Sequence, residues 1–414
     1  MIVQDIRLAQ THQVAMLSAK CKIRKIGWDT VYFKVDNAKQ DYICSDASPF
    51  AAALLLPAMR QGEDLIIRGS ISKQLLNGMH AIMQEVLQWN IGLKPIEIKV
   101  DALTEDTYKP LKTAMFFSGG VDSFYTYLKH KNDRLKTHRV ENFILVKGFN
   151  SDIDSRNTTL WNQNLHNITV IAAAENVELI VVESNIHDLV NPLLPWGYSH
   201  GGCLAAVGLF LRTAFRRVYI ASTFSAAEQI PWGTHLALDT HWSTETTTFI
   251  HDGTEATRYN KVVWQVARSP IALKYLRVCY MNVDGTYNCG VCAKCLRTMI
   301  SLYLAGVLEQ AKTFPSRLDL ERIAHALTIK AEDQLIFPAE NEYLQVLKVK
   351  NLAPDLQKAI RQSIDNAVAA DNSLQQRLKA ILAKFRHNVI YIDHAYSGGH
   401  VYALLSGILG KKYS

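Results

Sequence analysis

Six consecutive residues, Ser118-Gly119-Gly120-Val121-Asp122-Ser123, constrain the fold more tightly than any other part of the chain. They follow the short apolar stretch Thr113–Phe117 and open a helical stretch. Strand, glycine turn and helix in immediate succession form the setting in which backbone amides and a helix N-terminus bind an anion. Two glycines let the backbone approach a ligand closely and take positive φ. Ser118 and Ser123 add hydroxyl donors, while the Asp122 carboxylate would repel a bare phosphate. Asp122 therefore points to a bridging Mg²⁺ or to an inward hydrogen bond to the loop. The segment matches neither the G-x-x-x-x-G-K-[ST] phosphate loop nor the G-x-G-x-x-G dinucleotide fingerprint.

The surrounding rhythm agrees with an α/β fold. Asn142–Lys147 reads as a second strand, Leu160–Ala174 as a helix and Val177–Glu183 as a third strand. Leu204–Phe215 reads as a buried helix and Arg217–Ala221 as a fourth strand. This alternation predicts a parallel sheet covered by helices on both faces over residues 111–305. Residues 1–110 read as a separate N-terminal α+β domain. Its strands are Ala15–Arg24, Thr30–Val35, Asp64–Arg68 and Pro95–Val100, and its second helix is Ser72–Leu87. Its first helix runs through Ala51–Met59, capped by Ser48 and shortened or kinked by Pro57. Thr107–Pro110 reads as the exit linker. Residues 306–414 read as a mostly helical C-terminal domain: Leu318–Lys330, Glu340–Lys348, Leu356–Ala369 and Leu374–Phe385, with a strand at Asn388–Ile392 and a glycine loop at Ser397–Gly399.

Four of the seven cysteines crowd between positions 279 and 295. No apolar run approaches the ~20 residues of a membrane span. Met1–Gln10 carries Asp5 and Arg7 and lacks a signal h-region. A cytoplasmic protein with reduced thiols is therefore expected, with no membrane partner. Cys279, Cys289, Cys292 and Cys295 then offer four thiolates, the set that tetrahedral Zn²⁺ prefers in closed structural sites. An iron–sulfur cluster and a redox Cys-x-x-Cys pair are the rival readings. Cys203 lies in an apolar stretch and reads as core, while Cys21 and Cys44 have no partner pattern.

The Ser118–Ser123 loop resembles the S-G-G-x-D-S loop of the PP-loop ATP pyrophosphatases. Combined with Cys279 and Cys289-Gly290-Val291-Cys292-Ala293-Lys294-Cys295, it makes residues 111–305 look like the QueC family, the 7-cyano-7-deazaguanine synthases. The resemblance implies a PP-loop, adenine nucleotide α hydrolase-like core with a zinc knuckle. It also implies binding of ATP with Mg²⁺ by Ser118, Gly119, Gly120, Val121, Asp122 and Ser123, with Asp122 and Ser123 catalytic and Asp152 near the adenosine. A purine-like carboxylate would be adenylated, with release of AMP and pyrophosphate, and then amidated. QueC enzymes are shorter than this chain and lack the flanking regions. Their pocket segments are replaced here by Val146–Asp152 and by Pro231–His235 with Leu238–Glu245. The chain is similar in this respect to long QueC-like proteins of bacterial anti-phage gene clusters, where the resemblance implies a ligase with a protein amine as acceptor.

The stretch Phe224–Arg258 follows the fourth strand, at the sheet edge where ligands bind in such folds. Trp232 or Trp242 could stack on a flat purine, with Asp239 or Glu245 accepting from its amino groups and His241 close by. Arg258 or Lys261 could neutralise pyrophosphate. His200-Gly201-Gly202-Cys203 reads as a helix start that could bind a second anion. Asp152, Asp154 and Arg156 read as either nucleotide contacts or a solvated turn. Three functions therefore compete. The first is adenylation followed by amide formation with ammonia or a protein amine. The second is nitrile synthesis for tRNA modification. The third is a silent nucleotide-binding scaffold. The net charge of +7 permits an RNA partner, but no basic stretch with interleaved aromatics supports one. Dimers are common among PP-loop enzymes of this type, so the resemblance allows a homodimer.

Overall fold

The computed structural model describes residues 1–24, 27–149, 158–326 and 342–371. The chain forms two compact units: Met1–Leu318 with Phe337–Val346, and Asp319–Ile336 with Leu347–Ser414.

The first unit is built on one ten-stranded sheet, ordered β10-β9-β6-β7-β8-β3-β2-β1-β4-β5. Its parallel half comprises β6 (Lys112–Phe116), β7 (Asn142–Lys147), β8 (Glu178–Ser184), β9 (Phe215–Ala221) and β10 (Thr248–Asp252). Every neighbouring pair within this set is parallel. The crossovers are α3 (Val121–His130), α4 (Thr158–Ala174) and the pair α5 (Ile186–Val190) and α6 (Trp196–Phe210). Both faces are covered, as a parallel sheet requires. Ala114, Phe116, Ile144, Val182 and Ile220 pack in one core with α6, while Met115, Phe117, Phe143, Leu145 and Tyr219 pack in the other with α3 and α4. β10 adds a fifth parallel strand that the sequence reading left inside a loop.

The N-terminal stretch extends this same sheet. β1 (Ile2–Gln10), β2 (Val14–Ile23) and β3 (Gly27–Asp36) form an antiparallel meander, with β4 (Leu65–Ser72) beside β1 and β5 (Ile98–Thr104) at the edge. β3 pairs antiparallel with β8 through Phe33 opposite Ser184 and Lys34 opposite Glu183. Residues 1–110 and 111–305, expected as separate domains, therefore lie in one compact unit. The physical reason is the open β8 edge, whose unpaired backbone groups are satisfied by β3. Two ionic clusters cross the join, one buried around Arg212 and one half-buried around Glu178. Arg212, 1% exposed, donates from Nε to Asp106 at 2.9 Å and from Nη1 to Asp46 at 3.1 Å. Glu178 accepts from Lys39, from Lys112 at 3.2 Å and from Asn142 at 2.6 Å.

Two helices differ from expectation. α1 (Ser48–Gln61) begins at Ser48 instead of being capped by it: the Asp46 carboxylate accepts from the Ser48 amide at 2.9 Å. Pro57 lies inside α1, and the helix continues past it because α1 is buried along nearly its whole length, much of it against α6. α6 starts eight residues before Leu204, so His200 lies within a helix and not at its start. α2 (Lys73–Leu87) is capped by Ser72, whose Oγ accepts from the Leu75 amide at 3.1 Å.

In the second unit the described residues include the helices Leu320–His325 and Pro354–Asp371. Asp319 caps Leu320–His325, and the Asn366 side chain, on the helix Pro354–Asp371, donates to the Ala324 carbonyl at 3.0 Å. The expected elements at 374–385, 388–392 and 397–399 lie outside the described residues. No helix among the described residues is long and apolar enough to cross a membrane.

Candidate functional site

Within the parallel half the strands run 5-4-1-2-3 when numbered from β6, so the order reverses between β6 and β9. In open α/β sheets the crevice above such a reversal, at the carboxyl ends of the strands, is where ligands bind. The Ser118–Ser123 loop leaves β6 at this point. Gly119 takes φ +73°, which a side chain would strain, and Gly120 caps α3. Ser123 is buried, and its Oγ donates to the Gly120 carbonyl at 3.1 Å. The loop is thus closed from inside, and the first-turn amides of α3 have no intrahelical acceptors.

The Asp122 carboxylate turns to two cations and not inward to the loop. It accepts from Lys261 Nζ at 3.0 Å and from Arg258 Nη1 at 3.1 Å. Both cations stand on α7 (Arg258–Trp264), which Thr257 caps by accepting from the Asn260 amide. Lys261 is fully buried and also donates to the Ser222 carbonyl at the end of β9. Burial pushes the Asp122 carboxyl up, but the Lys261 and Arg258 charges outweigh it and hold the group below its ordinary value. Asp122 therefore remains an anion that fixes two cations beside the loop.

The four cysteines converge after α8 (Pro270–Tyr275). All four Sγ atoms lie within 4.8 Å of one another. Cys279 is 3.4 Å from Cys289 and 3.8 Å from Cys292, and Cys289 is 4.0 Å from Cys295. A tetrahedron with Zn–S of ~2.3 Å has edges of about 3.8 Å, so the set fits one ion such as zinc. A polynuclear cluster holds its thiolates further apart. Cys292 caps α9 (Ala293–Leu304), and amides of Asn282, Cys292 and Cys295 donate to cysteine sulfurs at 3.1–3.4 Å. Gly290, at φ +71°, makes the knuckle turn. Hydrogen bonds from Cys292 and Cys295 push the Cys279 thiol down, and those two are pushed up in return. A cation would relieve that competition. The knuckle is tied to the loop by the Arg277 amide, which donates to the Gly119 carbonyl at 2.9 Å.

Loop, knuckle and helices surround a cavity of about 330 Å³. Ser118, Asp122, Ser123 and Arg277 line it together with Phe149, His200, Leu204 and Thr234. Of the expected substrate residues, Arg258 and Lys261 contact the lining residue Asp122 without lining the cavity themselves. The others do not line it either. Trp242 is completely buried in the core with α1 and α6 and cannot stack on a ligand. Asp239 is buried against His251 at 2.7 Å, and its carboxyl is pushed up by that burial. His241 is exposed, and its carbonyl lies against Gly78 of α2. Glu245 accepts from Ser72 and from the Gln74 and Asp106 amides, bracing the start of α2. Trp232 packs edge-on against His200 and Phe224, outside the cavity wall. The polar and aromatic residues of this stretch thus hold the loop down. Asp152, with Asp154 and Arg156, lies outside the described residues.

The sequence reading named Phe149 and Thr234 only within the segments that replace the family's own, missed Arg277, Trp161 and Asn164 as cavity residues, and left His200 at a helix start. Lys294, between two of the cysteines, was missed as well. Burial lowers its ammonium to about 8, with the Arg258 and Arg297 charges adding to the effect. Searches against family models, curated proteins and solved structures returned no match for this chain.

Proposed function

We propose that the chain is an ATP-dependent adenylating enzyme of the PP-loop type, similar to the QueC family, acting on a 7-deazaguanine-type carboxylate. The observation that carries this reading is the position of Ser118–Ser123 at the strand-order reversal, opening α3, with Asp122 held by Lys261 and Arg258. Ser118, Gly119, Gly120, Val121 and Ser123 hold the phosphates of ATP. With ATP, Mg²⁺ supplies neutralisation of the departing pyrophosphate. A carboxylate oxygen of the substrate attacks the α-phosphorus and pyrophosphate leaves. The nitrogen of ammonia or of a protein amine then attacks the acyl carbon, loses a proton, and AMP departs. Arg258 and Lys261 stabilise charge developing on the phosphates, and Asp122 keeps them in place. Cys279, Cys289, Cys292 and Cys295 hold a structural zinc that shapes the segment carrying Arg277 and Lys294.

Incubation with ATP, Mg²⁺, ammonium and 7-carboxy-7-deazaguanine is expected to release AMP and pyrophosphate. Asp122→Ala is expected to lower that rate by about 10²–10³-fold, the scale for losing a preorganised charge-stabilising group. Release of ADP without AMP overturns the mechanism. The mass of the purine product separates an amide from a nitrile, and intact-mass analysis of co-expressed proteins detects transfer to a protein amine.

A further inference from the structure

The part of the cavity wall that α6 contributes is built around His200. Its Nδ1 lies 2.9 Å from the Trp196 carbonyl one helical turn back. A carbonyl only accepts, so Nδ1 carries the proton and Nε2 presents a lone pair. Nε2 lies 3.4 Å from Thr234 Oγ1, whose hydroxyl is the donor to it, so a ligand N–H reaches this lone pair by taking the place of the Thr234 hydroxyl; both residues line the cavity. The pair is held by close backbone contact: a Cβ on Gly201 would lie 1.8 Å from the Gly233 carbonyl oxygen, and the Gly233 amide donates to the Gly197 carbonyl at 2.7 Å. Trp232 packs against His200 from outside the wall. Phe149 and Leu204 provide apolar surface beside it. The imidazole is therefore a fixed acceptor in an apolar wall.

We propose that His200, assisted by Thr234, is the specificity-determining residue for the acyl substrate, accepting a hydrogen bond at Nε2 from a ring N–H or amino group on the edge of a planar heteroaromatic. This rests on the adenylation reading above and names the contact that selects its substrate. Two observations support this assignment. Arg258 and Lys261 are held by Asp122 of the phosphate loop, where phosphates belong, while the one cation felt at His200 is Lys294, whose charge further lowers the imidazole. Burial holds His200 neutral, with its value lowered to about 4, so it offers no charge to a phosphate or carboxylate at neutral pH. A neutral acceptor rewards N–H donors and penalises anions brought against it.

The test is calorimetric binding of two probes to the full chain: 7-carboxy-7-deazaguanine and the non-hydrolysable ATP analogue α,β-methylene-ATP. His200→Phe keeps a ring but removes the acceptor; His200→Gln restores an acceptor near the Nε2 position. The expected result is at least about tenfold weaker binding of the deazaguanine to His200→Phe, the scale of one buried hydrogen bond left unmade. The ATP analogue should change less than about twofold, and His200→Gln should recover most of the lost affinity. Equal weakening of both probes in His200→Phe marks a structural role and overturns the assignment, as does unchanged deazaguanine binding. If the native chain itself binds the ATP analogue but no 7-carboxy-7-deazaguanine, the acyl-substrate reading fails and the His200 assignment falls with it.

Discussion

Strands β6–β10 run parallel and are covered on both faces, whereas β1–β3 run antiparallel and alternate buried with half-buried or exposed residues. The difference decides where chemistry can gather. In the parallel half every strand ends at the same edge, so the segments after β6, β7 and β9 deliver Ser118, Phe149 and Thr223 to one cavity. In a meander the strand ends alternate between two edges, and no such convergence arises. The N-terminal half supports the site instead. α1 packs along α6, the helix that presents His200 and Leu204. Its residues set the rigidity of one cavity wall without entering it.

The largest expected effect tests whether the parallel half depends on a metal held by the four cysteines. Cys292→Ser should reduce bound zinc from about one ion per chain to background. It should also cost several kcal/mol of stability, since structural zinc contributes folding energy outright. Elemental analysis and thermal melting check both, and full stability with no bound metal would make the knuckle dispensable. Next comes the join between the halves. Arg212→Met leaves Asp46 and Asp106 facing each other without their counter-ion, at a cost of about 3–5 kcal/mol in denaturant unfolding. Adding Asp46→Asn and Asp106→Asn should recover part of this loss if the three act as one unit. A cost under about 1 kcal/mol would mean that the halves cohere through the sheet alone.

The smallest effect concerns pH at the second cluster on the join. Burial alone would raise Glu178, but hydrogen bonds from Lys39, Asn142 and Lys112 outweigh it and bring the carboxyl from its ordinary 4.5 to about 2. A carboxylate lowered on folding stabilises above its unfolded value, and that stabilisation is lost as pH falls through the folded one. The stability advantage of the native chain over Glu178→Gln should thus be constant above about pH 5 and shrink from 4.5 towards 2. An advantage independent of pH in that window would remove Glu178 as an ionic link. Its partial exposure keeps the expected size small.

The strand–turn–helix at 113–130 and the cysteine spacing were legible because each is a local pattern with a local physical cause: the positive φ that glycine permits between strand and helix, and the short spacing that brings thiols together. The spacing could not give the sulfur separations, which the fold brings to single-ion values. The join at β3–β8 was illegible because pairing between Phe33 and Ser184 is a relation between distant strands, and alternation within β3 says nothing about its neighbour. Trp242 and Asp239 misled for a related reason. An aromatic or an acid in a long loop has the same composition signature whether it faces a ligand or anchors the loop, and only burial separates the two. His200 was visible as a residue beside glycines. Its helical setting, and the contact of Gly201 with Gly233, were needed to show why those glycines are there.

The bond from the Arg277 amide to the Gly119 carbonyl has a consequence for the order of folding. The loop is made early during synthesis, but the residue that ties it down belongs to the cysteine segment and emerges much later. Closing so long a stretch of chain is entropically slow compared with forming α3 or the β1–β2 hairpin. A growing chain can therefore assemble most of its sheet while the loop still lacks this restraint. The Ser118–Ser123 loop on this account matures last, once the cysteine segment has folded, so an unfinished chain does not hold a finished loop.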